Sequence, residues 1–82
     1  MKHYVIAHTD LFENSTEIIF VHDKSEVSAL SNYLVRKDWD ASAVNGMILD
    51  ELKELAFNAD QIIEIAEVPD RSWRNYVTNP IK

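Results

Sequence analysis

The chain has 82 residues, 46% of them hydrophobic, with no cysteine, one glycine and a formal net charge of −6. The lack of cysteine excludes a disulfide scaffold, a zinc knuckle and a thiol nucleophile, one glycine excludes a P-loop or dinucleotide fingerprint, and the apolar content excludes wholesale disorder. The length fits one domain over residues 1–82, no apolar run is long enough to span a membrane, and the start carries no basic-then-apolar leader, so a cytoplasmic protein is expected.

Residues 3–12 (HYVIAHTDLF) and 17–22 (EIIFVH) are rich in β-branched and aromatic side chains. The polar run Glu13-Asn14-Ser15-Thr16 between them has turn chemistry, which predicts a β-hairpin. Asp23-Lys24-Ser25-Glu26 has the spacing of a helix-capping box, with Asp23 or Ser25 as the cap. Val27, Leu30 and Leu34, with Tyr33 beside them, then make one apolar helical stripe. Arg36 and Lys37 suit the carbonyl end of that helix. Past Asp38-Trp39-Asp40, a second helix capped by Asp40 or Ser42 shows Val44, Ile48, Leu52, Leu55 and Ala56 on one side. Gly46 either weakens this helix or marks a later start, and Asn58 fits a left-handed C-cap. Gln61 to Val68 (QIIEIAEV) reads as a third strand stopped by Pro69, and Asp70 caps a short turn carrying Trp73, Tyr76 and Val77.

The expected fold class is α+β: a small three-stranded antiparallel sheet with two helices on one face, in β-β-α-α-β order, and a short aromatic helical segment within residues 69–82. Alternation separates Tyr4, Ile6 and His8 from Val5 and Ala7, and Ile18, Phe20 and His22 from Ile19 and Val21. Both faces are largely apolar, whereas two helices cover one. Three occupants compete for the second face: the segment 69–82, a second copy of the chain, and a different protein.

Charge is uneven. Residues 1–69 carry −8 and residues 70–82 carry +2. Asp38, Asp40, Asp50, Glu51, Glu54, Asp60, Glu64 and Glu67 form an acidic stretch opposed only by Lys53. Such a field argues against direct binding to nucleic acid or an anionic membrane. Solvation explains these carboxylates simply. The sharper reading is an acidic face that mimics nucleic-acid phosphates and blocks a DNA- or RNA-binding protein or nuclease, in an anti-restriction or anti-CRISPR-like mode.

Few constellations carry chemistry. His8 and His22, placed across from each other by a turn centred near Ser15, with Asp10 on the same face, are the weak candidates for a metal site; solvated histidines at a hairpin end are the plainer reading, and no metal or cofactor is expected. Serines 15, 25, 28, 31, 42 and 72 lie in caps, turns and helix surfaces, without a nucleophile setting. No carboxylate pair has a pocket, so no catalytic residue is assigned. Trp73, Arg71, Arg74 and Tyr76 have the composition of a protein-binding hot spot, and Trp39 serves as a core lid or an exposed anchor. The expectation is therefore a small non-enzymatic interaction or regulatory protein, of the short acidic kind common among bacterial and phage accessory proteins, that binds another protein or its own copy. The alternative is the charge-mimicking inhibitor.

Overall fold

A computed structural model describes residues 1–69. The expected helical turn at Asp70, and Arg71, Trp73, Arg74 and Tyr76, lie outside the described residues. Strands β1 (Lys2–Asp10) and β2 (Ser15–Asp23) form the hairpin, and β3 (Gln61–Val68) pairs antiparallel with the other side of β1. The sheet order is β2-β1-β3, so the chain's first strand lies in the middle. Helices α1 (Glu26–Arg36), α2 (Ala41–Val44) and α3 (Leu49–Asn58) fall between β2 and β3 in the chain. The fold is α+β in the expected β-β-α-α-β order, with the second helix divided in two.

The hairpin turn falls earlier than its polar residues suggest. Asp10 Oδ1 accepts from the amides of Phe12 and Glu13, both at 3.0 Å. That side chain draws Leu11 and Phe12 out of the strand and into the turn. Asn14 closes it in the left-handed region at φ 56°, a conformation that asparagine tolerates better than most residues. The register pairs His8 with Glu17 and His3 with His22. Relative to the expected His8–His22 pairing this is a slip by an odd number of residues, which moves every side chain of β2 to the opposite face.

The helix starts follow their caps. Ser25 Oγ accepts from Ser28 N at 3.2 Å, which selects Ser25 over Asp23 for α1. Asp40 Oδ1 accepts from Ser42 N at 3.0 Å and from Ser42 Oγ at 2.8 Å at the start of α2. Gly46, at φ 89°, ends the single turn of α2, and α3 begins afresh with Glu51 reaching back to the Ile48 amide at 3.0 Å. Ile48 is therefore a cap residue and 63% exposed, outside the apolar face where helical spacing puts it. The left-handed residue after α3 is Asp60 (φ 61°), one stop beyond the cap; Asn58 remains helical.

The core lies between the helices and one face of the sheet. Ile6 and Ile63 meet Leu30, Tyr33, Leu34, Val44, Leu52 and Ala56, all buried. Trp39, Met47 and Leu55 pack against this cluster while partly exposed. Each large side chain buried here contributes about 1.5–3 kcal/mol of transfer free energy. Among the described residues no helix is long and apolar enough to cross a membrane.

Candidate functional site

Among the described residues two surfaces stand out beside the core: a polar cleft on the helix side of the sheet and the face behind it, here the open face.

The cleft, about 460 Å³, sits at the turn end of the hairpin. His8 and Asp10 of β1, Glu17 of β2, Lys37 and Trp39 after α1, and Gln61 of β3 line it together with Glu13, Ser15 and Thr16. A chain of polar contacts runs along its floor. Lys37 Nζ lies 2.8 Å from Glu17 Oε1, and the Tyr33 hydroxyl donates to the same oxygen at 2.8 Å. The Tyr33 oxygen lies 2.6 Å from His8 Nδ1, and His8 Nε2 lies 2.5 Å from the Gln61 side-chain oxygen. A carboxylate cannot donate, so the one hydroxyl proton of Tyr33 points at Glu17 and His8 Nδ1 must carry a proton and donate to Tyr33. His8 Nε2 donates to Gln61 when the ring holds two protons. With one proton it accepts instead from the Gln61 amide turned through 180°.

The electrostatics follow from these contacts. The Lys37 ammonium and then the Tyr33 hydroxyl hold the Glu17 carboxyl below its usual range. Burial, reinforced by the bond to Glu17, pushes the Tyr33 hydroxyl well above the usual phenol range. The His8 ring meets the Tyr33 ring edge-on, 5.5 Å between centroids, and Lys37 Nζ stands 5.8 Å from the Tyr33 ring centre.

The open face is built of rows across the three strands. Thr16, Thr9 and Ile62 form one; Ile18, Ala7 and Glu64 the next; then Phe20, Val5 and Ala66; then His22, His3 and Val68. Glu64 is the one carboxylate in these rows, and Lys53 Nζ approaches it to 3.1 Å. Ile18 is 63% exposed, Ile62 44% and Phe20 39%. A shallow groove of about 320 Å³, lined by Phe20, Val21, His22 and Arg36, follows the outer edge of β2.

The residues singled out from the sequence are dispersed. His8 faces the helices and His22 the open face, so the two cannot share an ion; His22 instead meets His3, with ring centroids 4.1 Å apart. Asp10 shares the face of His8 but is tied to the turn. No group of three metal-ligating side chains occurs among the described residues. Most of the acidic stretch has a local structural role: Asp40 and Glu51 cap helices, Asp38 and Asp60 occupy left-handed positions, and Glu64 and Glu67 pair with Lys53 and Lys2. Asp50 and Glu54 lie exposed on α3. Trp39 both packs on the core and lines the cleft. Glu17, Tyr33, Lys37 and Gln61 were not legible as a cluster, although a tyrosine on an apolar helical stripe signals a hydroxyl that needs a buried partner.

No family model matches the chain, and no curated protein or solved structure matches it.

Proposed function

We propose that this chain is a protein-binding module that works through the open face and outer edge of β2, with a second copy of itself as the occupant. The observation that carries this reading is the composition of β2. Ile18 to His22 form an edge segment with no proline, lysine or arginine and no charge, next to the exposed Ile18 and Phe20. Edge strands are ordinarily guarded against pairing by charge or proline. The charges of β2, Glu17 with Lys37 and Asp23, flank this segment, whereas β3 carries guards along its length: Glu64 with Lys53, Glu67 with Lys2, and Pro69 at its end.

Charge selects a second copy. If two β2 strands pair antiparallel about Ile19, Ile18 lies opposite Phe20 on the open face, a favourable aromatic and β-branched pair that occurs twice. The acids Glu17 and Asp23 then lie opposite Val21 and Ser15, so no like charges meet despite the net −6. Arg36, which lines the groove beside Val21, comes next to Glu17 of the second copy. The contact is self-complementary, as a two-fold interface must be.

Sedimentation equilibrium of the full chain from micromolar to hundred-micromolar concentration tests this reading. The expected mass approaches twice the chain's 9.5 kDa, and Ile18→Asp returns it to a monomer that melts where the parent does once the parent is diluted to its monomer. A monomer at every concentration overturns the reading, and so does a dimer insensitive to Ile18→Asp. A dimer that dissociates steeply as salt rises also overturns it, because an apolar contact is not screened.

A further inference from the structure

We propose that the cleft at the turn end of the hairpin binds a guanidinium group, as an arginine side chain presents it. The cleft lies on the helix side of the sheet and shares only Thr16 with the open-face rows, so this assignment is tested separately from the pairing of β2.

Charge in the cleft favours a cation. Lys37 is already committed to Glu17, and Glu17 also accepts from Tyr33. Two carboxylates on the same wall remain uncompensated. Asp10 has one oxygen fixed by the Phe12 and Glu13 amides, and its other oxygen makes no hydrogen bond among the described residues. Glu13 makes neither an ion pair nor a side-chain hydrogen bond among the described residues. An anion placed here would face three carboxylates.

Geometry narrows the cation to a planar one with several donors. A volume of about 460 Å³ suits an amino-acid-sized ligand rather than a bare ion. Trp39, held by the core on one side, supplies an aromatic wall on which a guanidinium stacks more favourably than an ammonium. Ser15, Thr16 and Gln61 add neutral acceptors around the carboxylates, matching the five donors of a guanidinium fork. The wall is pre-organised, because the Glu17–Tyr33–His8–Gln61 contacts fix its floor before a ligand arrives.

The test is a ¹H–¹⁵N NMR titration of the full chain with N-acetyl-arginine amide, N-acetyl-lysine amide and N-acetyl-citrulline amide. The arginine compound should shift the amides of residues 10–17 and the Trp39 indole N–H, with a Kd on the order of millimolar. The neutral citrulline compound should shift nothing. The Asp10→Asn, Glu13→Gln double variant should weaken binding about tenfold, the usual scale for losing a charge-assisted bond. Asparagine at position 10 keeps the oxygen that holds the turn, so the variant should fold. No shift with arginine overturns the assignment. So do equal shifts with citrulline, which would mean that charge is not read, or with lysine, which would mean that the plane is not read. A Gly-Arg-Gly peptide separates the sources: tighter binding than the single residue points to a protein's arginine, and equal binding points to a free guanidinium compound.

Discussion

The Tyr33 hydroxyl gives its single proton to Glu17 Oε1 at 2.8 Å, and toward His8 Nδ1 it therefore acts only as an acceptor. One buried oxygen thus ties α1 to both strands of the hairpin. Tyr33→Phe keeps the ring and removes that oxygen, leaving His8 Nδ1 and the Glu17 carboxylate each short of a partner. Destabilisation of about 1–3 kcal/mol is expected from denaturant unfolding. Lys37→Met, which touches only the exposed end of the same chain of contacts, should cost less than about 1 kcal/mol. Equal losses for the two variants would show that the hydroxyl does not organise the cleft.

The same contacts fix how stability changes with pH. Burial and Glu17 raise the Tyr33 hydroxyl above its ordinary value of 10.0. In alkali the unfolded chain ionises this phenol while the folded chain keeps its proton. The Tyr33 contribution is therefore complete below about pH 10 and is lost as the pH rises further. Glu17 runs the other way. Lys37 and Tyr33 lower it from 4.5, so its contribution is present above about pH 4.5 and is lost as the pH falls through its folded value. Melting temperature measured against pH should show both limbs. Tyr33→Phe should shrink the alkaline limb and Glu17→Gln the acid one, with Tyr4 and Asp23, shifted in the same two directions, retaining part of each; limbs of unchanged size contradict the assignment.

Strand and helix content was legible in the sequence because each segment states its own period. The stripe Val27, Leu30, Leu34 and the run QIIEIAEV fold as their spacing implies. The presence of two apolar sheet faces was legible too. The register was not, because one side chain decides it. Asp10 captures two amides and starts the turn inside what reads as strand. That shift sends His22 away from His8 and brings Glu17 to it, so the cleft could not be assembled from spacing alone. The central place of β1 was likewise hidden, since it rests on the pairing of β1 with a strand more than fifty residues away in the chain.

Two residues with the same helical spacing should respond in opposite ways. Leu52 is fully buried, whereas Ile48 stands 63% exposed at the start of α3. Leu52→Ala should cost about 2–5 kcal/mol through lost burial and the cavity left behind. Ile48→Ala should stay within about 0.5 kcal/mol of the parent. Thermal or urea unfolding of the two variants decides, and comparable losses would return Ile48 to the apolar face of one continuous helix.

Gly46 isolates a purely conformational cost. A Cβ added there would meet no atom within 4 Å, so Gly46→Ala creates no clash. Its φ of 89° is nevertheless in the region that L side chains avoid. The expected loss is about 1–2 kcal/mol, with no change in the near-ultraviolet signal of the packed core. Asparagine at the same position should recover part of that loss, because it tolerates left-handed backbone better than alanine. A neutral or stabilising alanine would mean that α2 and α3 join through position 46.

Hydrogen exchange can separate the central strand from the edge on which the proposed association depends. Both sides of β1 are paired, by β2 and β3, so its amides should exchange slowest, near the global unfolding limit. β2 has a described partner on one side only. Amides along β2 should therefore exchange faster than those of β1 in dilute solution. Raising the protein concentration should slow exchange along β2 while leaving β1 unchanged, because pairing with a second copy adds strand contacts on that edge. Slowing along β3 instead would place the contact on the guarded edge, and exchange that does not vary with concentration would mean that β2 takes no second copy.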